Sequence, residues 1–73
     1  MKIQYFPDTD TLYIDLSNRQ AVASETMSEN LIVDVDSTGK PTGITIEHYS
    51  KTADSTTIET ILPLATGPVA ASI

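Results

Sequence analysis

Asp34 and Asp36, Asp8 and Asp10, and the single imidazole of His48 are the residues whose types and spacing could do chemistry in this chain. Carboxylates two apart on an extended strand share a face, so Asp34 and Asp36 lie side by side, as oxygen ligands of a hard cation do. The run Asp34-Val35-Asp36-Ser37-Thr38-Gly39 superficially matches the opening of an EF-hand calcium loop. The match then fails, because the position of the closing bidentate glutamate is Thr45 and the flanks read as strands. Aspartates that end strands and organise turns are the better account of both pairs.

His48 falls, by alternation, on the face of Ile44 and Ile46 near a strand end. Being alone, it excludes metal sites with two histidines within one chain. A functional histidine needs a carboxylate or nucleophile facing it; a rim histidine with one satisfied hydrogen bond is the simpler expectation. The chain has no cysteine, which removes disulfides, thiol catalysis and thiolate metal sites and fits a reducing cytoplasm. There is no glycine-rich phosphate loop, no G-x-S-x-G elbow and no metalloprotease helix. The expectation is a protein that is not an enzyme and holds no cofactor or metal.

Charge points to binding instead. Ten acidic against four basic residues give a net charge of -6, which a nucleic-acid backbone repels and a basic protein attracts. The four aromatic residues are Tyr5, Phe6, Tyr13 and Tyr49, and Phe6, Tyr13 and Tyr49 fall on otherwise polar strand faces, where aromatics mark interfaces. Cross-strand packing explains them almost as well. The candidate partner-binding residues are accordingly Tyr13, Asp15, Asp34, Asp36, Glu47 and Tyr49. A small-ligand or divalent-metal binder using the acidic turns is the alternative. The N-terminus lacks the apolar stretch of a signal peptide, and the run Ile61-Leu62-Pro63-Leu64-Ala65 is too short to span a bilayer, so a cytoplasmic protein is expected.

These residues must be positioned by strands. Lys2 to Phe6 and Thr11 to Leu16 alternate and are joined by the turn Pro7-Asp8-Thr9-Asp10, which makes a first antiparallel hairpin. Leu31 to Asp36 and Thr42 to Tyr49 make a second around Ser37-Thr38-Gly39-Lys40-Pro41. Gly43, near a strand start, predicts a bulge or a close backbone approach. Ser17 to Asn30 reads as a loop with one short extended piece near Val22. Both hairpins put aliphatic residues on one face, so something must cover it. Within the chain the candidate is the C-terminal third, where Thr56-Thr57-Ile58-Glu59 matches a capping box and Ile58, Ile61, Leu62 and Ala65 share a helical stripe. Thr and Ile are poor helix formers, and Ile58, Thr60, Leu62 and Leu64 alternate like a fifth strand. A helix is preferred and a strand is the alternative.

The fold class expected is α+β: an antiparallel β-meander of two hairpins, about four strands, with one short C-terminal helix or fifth strand. Residues 1–66 form a single small domain, and residues 67–73 form a tail that frays unless a second subunit pins it. An aliphatic face larger than one short helix covers predicts a homodimer.

The order Phe6-Pro7-Asp8-Thr9-Asp10-Thr11-Leu12-Tyr13-Ile14, then Leu31-Ile32-Val33-Asp34-Val35-Asp36-Ser37-Thr38-Gly39-Lys40, then Gly43-Ile44-Thr45-Ile46-Glu47-His48-Tyr49-Ser50 resembles the bacterial domain-of-unknown-function family 2283. Phe6-Pro7 stands where that family usually has tyrosine-aspartate, and Thr45 replaces a usual glutamate. The resemblance covers about the first fifty residues. It implies a small β-sheet module without an accepted activity. Some members are encoded beside small toxin-like proteins, so an antitoxin-like role is the expectation it adds. It assigns no catalytic or binding residue.

Overall fold

A computed structural model describes residues 1–61. The strands are β1 (Lys2–Phe6), β2 (Thr11–Asp15), β3 (Ala23–Ser28), β4 (Leu31–Val35) and β5 (Pro41–Ile46), followed by the single-turn helix α1 (Tyr49–Thr52). They form one five-stranded antiparallel sheet in the order β1-β2-β5-β4-β3. Both expected hairpins are present, as β1–β2 and β4–β5. The order is not the expected meander, which would set β2 beside β4. Instead β5 lies at the centre and pairs with both, so that Ile44 is flanked by Ile14 and Val33. Central placement suits β5, because its Thr42 and Gly43 are buried while β1 and β3, at the edges, are exposed throughout.

The fifth strand arises from the segment expected to be a loop. Ala23–Ser28 pairs with β4 through a two-residue connection, Glu29 and Asn30, with a register shift between Thr26 and Ser28. Its exposed side chains, with Ala23 and Met27 the apolar ones, carry no apolar alternation, and as an edge strand it needs none. Pairing energy comes from the backbone ladder with β4, a tertiary effect that strand propensity does not report. Val22 donates its N–H to the Val35 carbonyl at 2.8 Å, which fits the extended piece expected there.

The helix also differs from expectation. It falls at Tyr49–Thr52, and residues 55–61 are neither helix nor strand. A short β-branched segment cannot meet the cost of helix nucleation. It is tied down another way: the Tyr49 hydroxyl donates to the Thr56 carbonyl at 3.0 Å, and the Ser55 hydroxyl accepts the Thr57 N–H. The remainder of the expected C-terminal element, and the expected tail, lie outside the described residues.

The ladder separates the two faces. Directly paired residues share a face, so Ile3, Ile14, Ile44 and Val33 form one row, and Tyr5, Leu12, Ile46 and Leu31 the next, all on the aliphatic face. The opposite face holds the rows Gln4, Tyr13, Thr45, Ile32 and Lys2, Asp15, Gly43, Asp34, Ser24. Among the described residues the buried apolar side chains are Leu12, Val35 and Tyr49. Tyr49 reaches the aliphatic face from α1, with its ring centroid 5.8 Å from that of Tyr5. Among the described residues no helix is long and apolar enough to cross a membrane.

Candidate functional site

Gly43 brings the predicted site residues of the polar face together. It sits between Asp15 on β2 and Asp34 on β4, and the Tyr13 ring lies across it. A β-carbon at this position would fall 2.7 Å from the ring's Cζ and closer still to its hydroxyl, so only glycine leaves room for the tyrosine. The close approach expected at Gly43 is therefore made by a side chain. The Tyr13 hydroxyl donates to Asp34 Oδ2 at 3.3 Å, and the Ser24 hydroxyl donates to Asp34 Oδ1 at 2.7 Å. Burial, and next the Asp34 charge, push the Tyr13 phenol above its ordinary pKa, so it remains a neutral donor. Tyr13, Asp15 and Asp34 thus form one aromatic-capped patch of two carboxylates, with Lys2 of the edge strand opposite Asp15.

Asp36 does not join them. A register shift between Asp34 and Val35 parts the two aspartates expected side by side, and each enters a different network. Asp36, 8 % exposed, organises the β4–β5 turn. Its Oδ1 accepts the Thr38 N–H at 2.8 Å, the Thr38 hydroxyl at 2.7 Å and the Lys40 N–H at 3.1 Å. Gly39, at φ 86°, takes the left-handed conformation that the turn needs. The guanidinium of Arg19 donates from Nε to Asp36 Oδ2 at 2.6 Å and from a terminal nitrogen to the Pro41 carbonyl at 3.1 Å, which pins the β2–β3 connection over the turn. Hydrogen bonds from the Thr38 hydroxyl, from backbone N–H groups and from Arg19 hold the Asp36 carboxyl far below the usual carboxylate range. This carboxylate is a structural hub.

Glu47 and Tyr49 were expected to continue the polar face of the last strand, but β5 ends at Ile46. Glu47 donates its N–H to the Asn30 carbonyl at 2.9 Å. His48 then turns through φ 52°, and this left-handed residue drops Tyr49 onto the aliphatic face. Tyr49 is therefore a core residue and not part of the acidic patch. His48 is exposed, with Nδ1 3.0 Å from Asn30 Oδ1, as a rim histidine should be.

A second cluster, which sequence reasoning treated only as a turn, forms around Asp10. This residue has φ 54°, and its carboxylate accepts the Tyr5 hydroxyl at 2.8 Å, the Ser50 hydroxyl at 2.6 Å and the Ser50 N–H. Its carbonyl accepts the Tyr49 N–H at 2.8 Å. The Ser50 and Tyr5 hydroxyls pull the Asp10 carboxyl below its usual range, and Asp10 in turn pushes the Tyr5 phenol up. Asp10 thereby fastens α1 to the β1–β2 turn. Beside it lies a cleft of about 420 Å³ lined by Tyr5, Leu12, Tyr49, Ser50, Thr56 and Ile58. No imidazole bonds the Ser50–Asp10 pair, so the hydroxyl is bound to a carboxylate that anchors it and lacks the usual activating base.

Among the described residues no three of His, Cys, Asp and Glu gather as a metal set. The carboxylates of the two acidic turns that make hydrogen bonds, Asp10 and Asp36, are occupied by protein donors.

No curated protein and no solved structure matches the chain. Residues 2–50 match the family described as "Protein of unknown function (DUF2283)", a span from the start of β1 through all five strands to the first residues of α1. The motif order that resembled this family is thus the sheet itself with its two aspartate-organised turns, and the chain belongs to the DUF2283 family.

Proposed function

We propose that this chain acts by binding rather than by catalysis, offering the acidic face of its sheet to a basic protein in the manner of an antitoxin. One observation carries the reading. Ten carboxylates face four cationic side chains, yet Arg19–Asp36 is the one ion pair among the described residues. Of the remaining carboxylates, Asp10 is held by the Tyr5 hydroxyl and by Ser50, and Asp34 by two hydroxyls. Asp15 and Asp34 stand in one row of the sheet beside Tyr13, with Lys2 opposite Asp15 at its edge. Such a surface accelerates encounter with a basic partner and selects against other acidic surfaces. Tyr13 adds a rigid amphipathic contact held in place by Gly43.

The partner would be recognised by Lys and Arg side chains, so binding should weaken as salt rises. Retention of a basic protein from the host lysate, its release by salt, and its loss with Asp15→Lys test the proposal. A chain recovered alone at physiological salt would overturn it.

A further inference from the structure

We propose that a second copy of this chain stacks its aliphatic sheet face on this one, giving a two-sheet sandwich with both acidic faces outward. The inference does not depend on the basic partner, because it concerns the other face of the sheet. Domains bury a sheet's apolar face against a second layer. Here that layer is partial. Tyr49 packs over Leu12, which is 5 % exposed, but Ile58 only borders the cleft beside it and Tyr5 at that end stays 45 % exposed. Among the described residues nothing covers the neighbouring row either: Ile3 is 42 % exposed, and Ile14, Ile44 and Val33 are only half-buried.

The chemistry of this face selects its occupant. Across the rows of Ile3 and Tyr5 the one charged residue is Glu25, on the edge strand and paired with Val33. A basic partner finds almost no counter-charge there, whereas an uncharged aliphatic surface fits. A second copy supplies that surface in a self-complementary, two-fold arrangement. Packing these faces at the usual ~10 Å sheet separation also directs Asp15 and Asp34 of both copies away from the interface. Five strands of about five residues, at roughly 4.8 Å between strands and 3.3 Å per residue, make a face of roughly 24 by 17 Å. Two such faces together span roughly 800 Å², part of it already under Tyr49, which is the size of a small interface and makes the dimer weak and concentration-dependent.

Sedimentation of the full chain at rising concentration should approach twice the 7.9 kDa chain mass. In a sample mixed from isotope-labelled and unlabelled copies, intermolecular methyl contacts should appear among Ile3, Ile14, Ile44 and Val33. Ile3→Glu, on the edge strand, should give the single-chain mass with unchanged far-UV circular dichroism. A wild-type monomer overturns the proposal and leaves the face to residues 62–73 or to solvent. A wild-type dimer without those methyl contacts overturns it equally, whatever the variant does, since the interface then lies elsewhere.

Discussion

Replacing Gly43 with alanine perturbs one contact and little else. The new β-carbon would lie 2.7 Å from Tyr13 Cζ, about 1 Å inside ordinary carbon–carbon contact, so the ring must swing off the strand. The Tyr13–Asp34 hydrogen bond, already 3.3 Å long, does not survive that movement. Overpacking of this kind costs about 1–3 kcal/mol. Alanine's smaller unfolded-state entropy returns about 0.4–1 kcal/mol. The net expectation is a destabilisation of about 1–2 kcal/mol, or roughly 4–15 °C in Tm for a domain of this size. Urea denaturation followed by far-UV circular dichroism measures it. The decisive arm repeats the substitution in a Tyr13→Ala background, where Gly43→Ala should be neutral or stabilising by up to about 1 kcal/mol. An equal loss in both backgrounds would refute the account, since the penalty would then belong to the backbone and not to the ring.

The Asp36 hub predicts a pH dependence. Its carboxyl is depressed in the folded state, so its contribution is complete above the unfolded value of about 3.9 and is lost as pH falls below it. Asp36→Asn should be less stable at neutral pH and show a flatter stability profile from about pH 4 downward; parallel wild-type and variant profiles would contradict the hub. Because Asp10 and Asp36 are occupied by protein donors, calcium or magnesium at millimolar levels should leave Tm unchanged. A rise with either ion would restore the cation-binding alternative.

The hairpins were legible because their information is local. Leu12 and Ile14 alternate with Thr11, Tyr13 and Asp15, and Asp36 with Gly39 marks its turn by chemistry that acts within four residues. The family resemblance was legible for the same reason, since its motifs are those strands and turns. Strand order was not, because whether β2 meets β4 or β5 depends on which strand is buried from both sides. Strand β3 was missed because Ala23–Ser28 gains its order from β4 and carries no pattern of its own. Within the site, Asp34 and Asp36 looked like a pair until the shift between Asp34 and Val35 parted them. Tyr49 looked like a face residue until the left-handed His48 redirected it into the core. Glycine at position 43 was the one available hint that Tyr13 and Asp34 belong together.

The proposed function rests on the acidic face, and a charge-matched capture experiment tests it most directly. Wild-type chain, Asp15→Lys and Asp54→Lys are each immobilised and exposed to host lysate at physiological salt. The two variants carry the same net charge, but Asp54 lies outside the sheet. The account predicts that one basic protein binds the wild type and Asp54→Lys, is released by high salt, and is lost with Asp15→Lys. Equal retention by both variants would reduce the acidity to a bulk property, and an empty wild-type lane would contradict the binding function altogether.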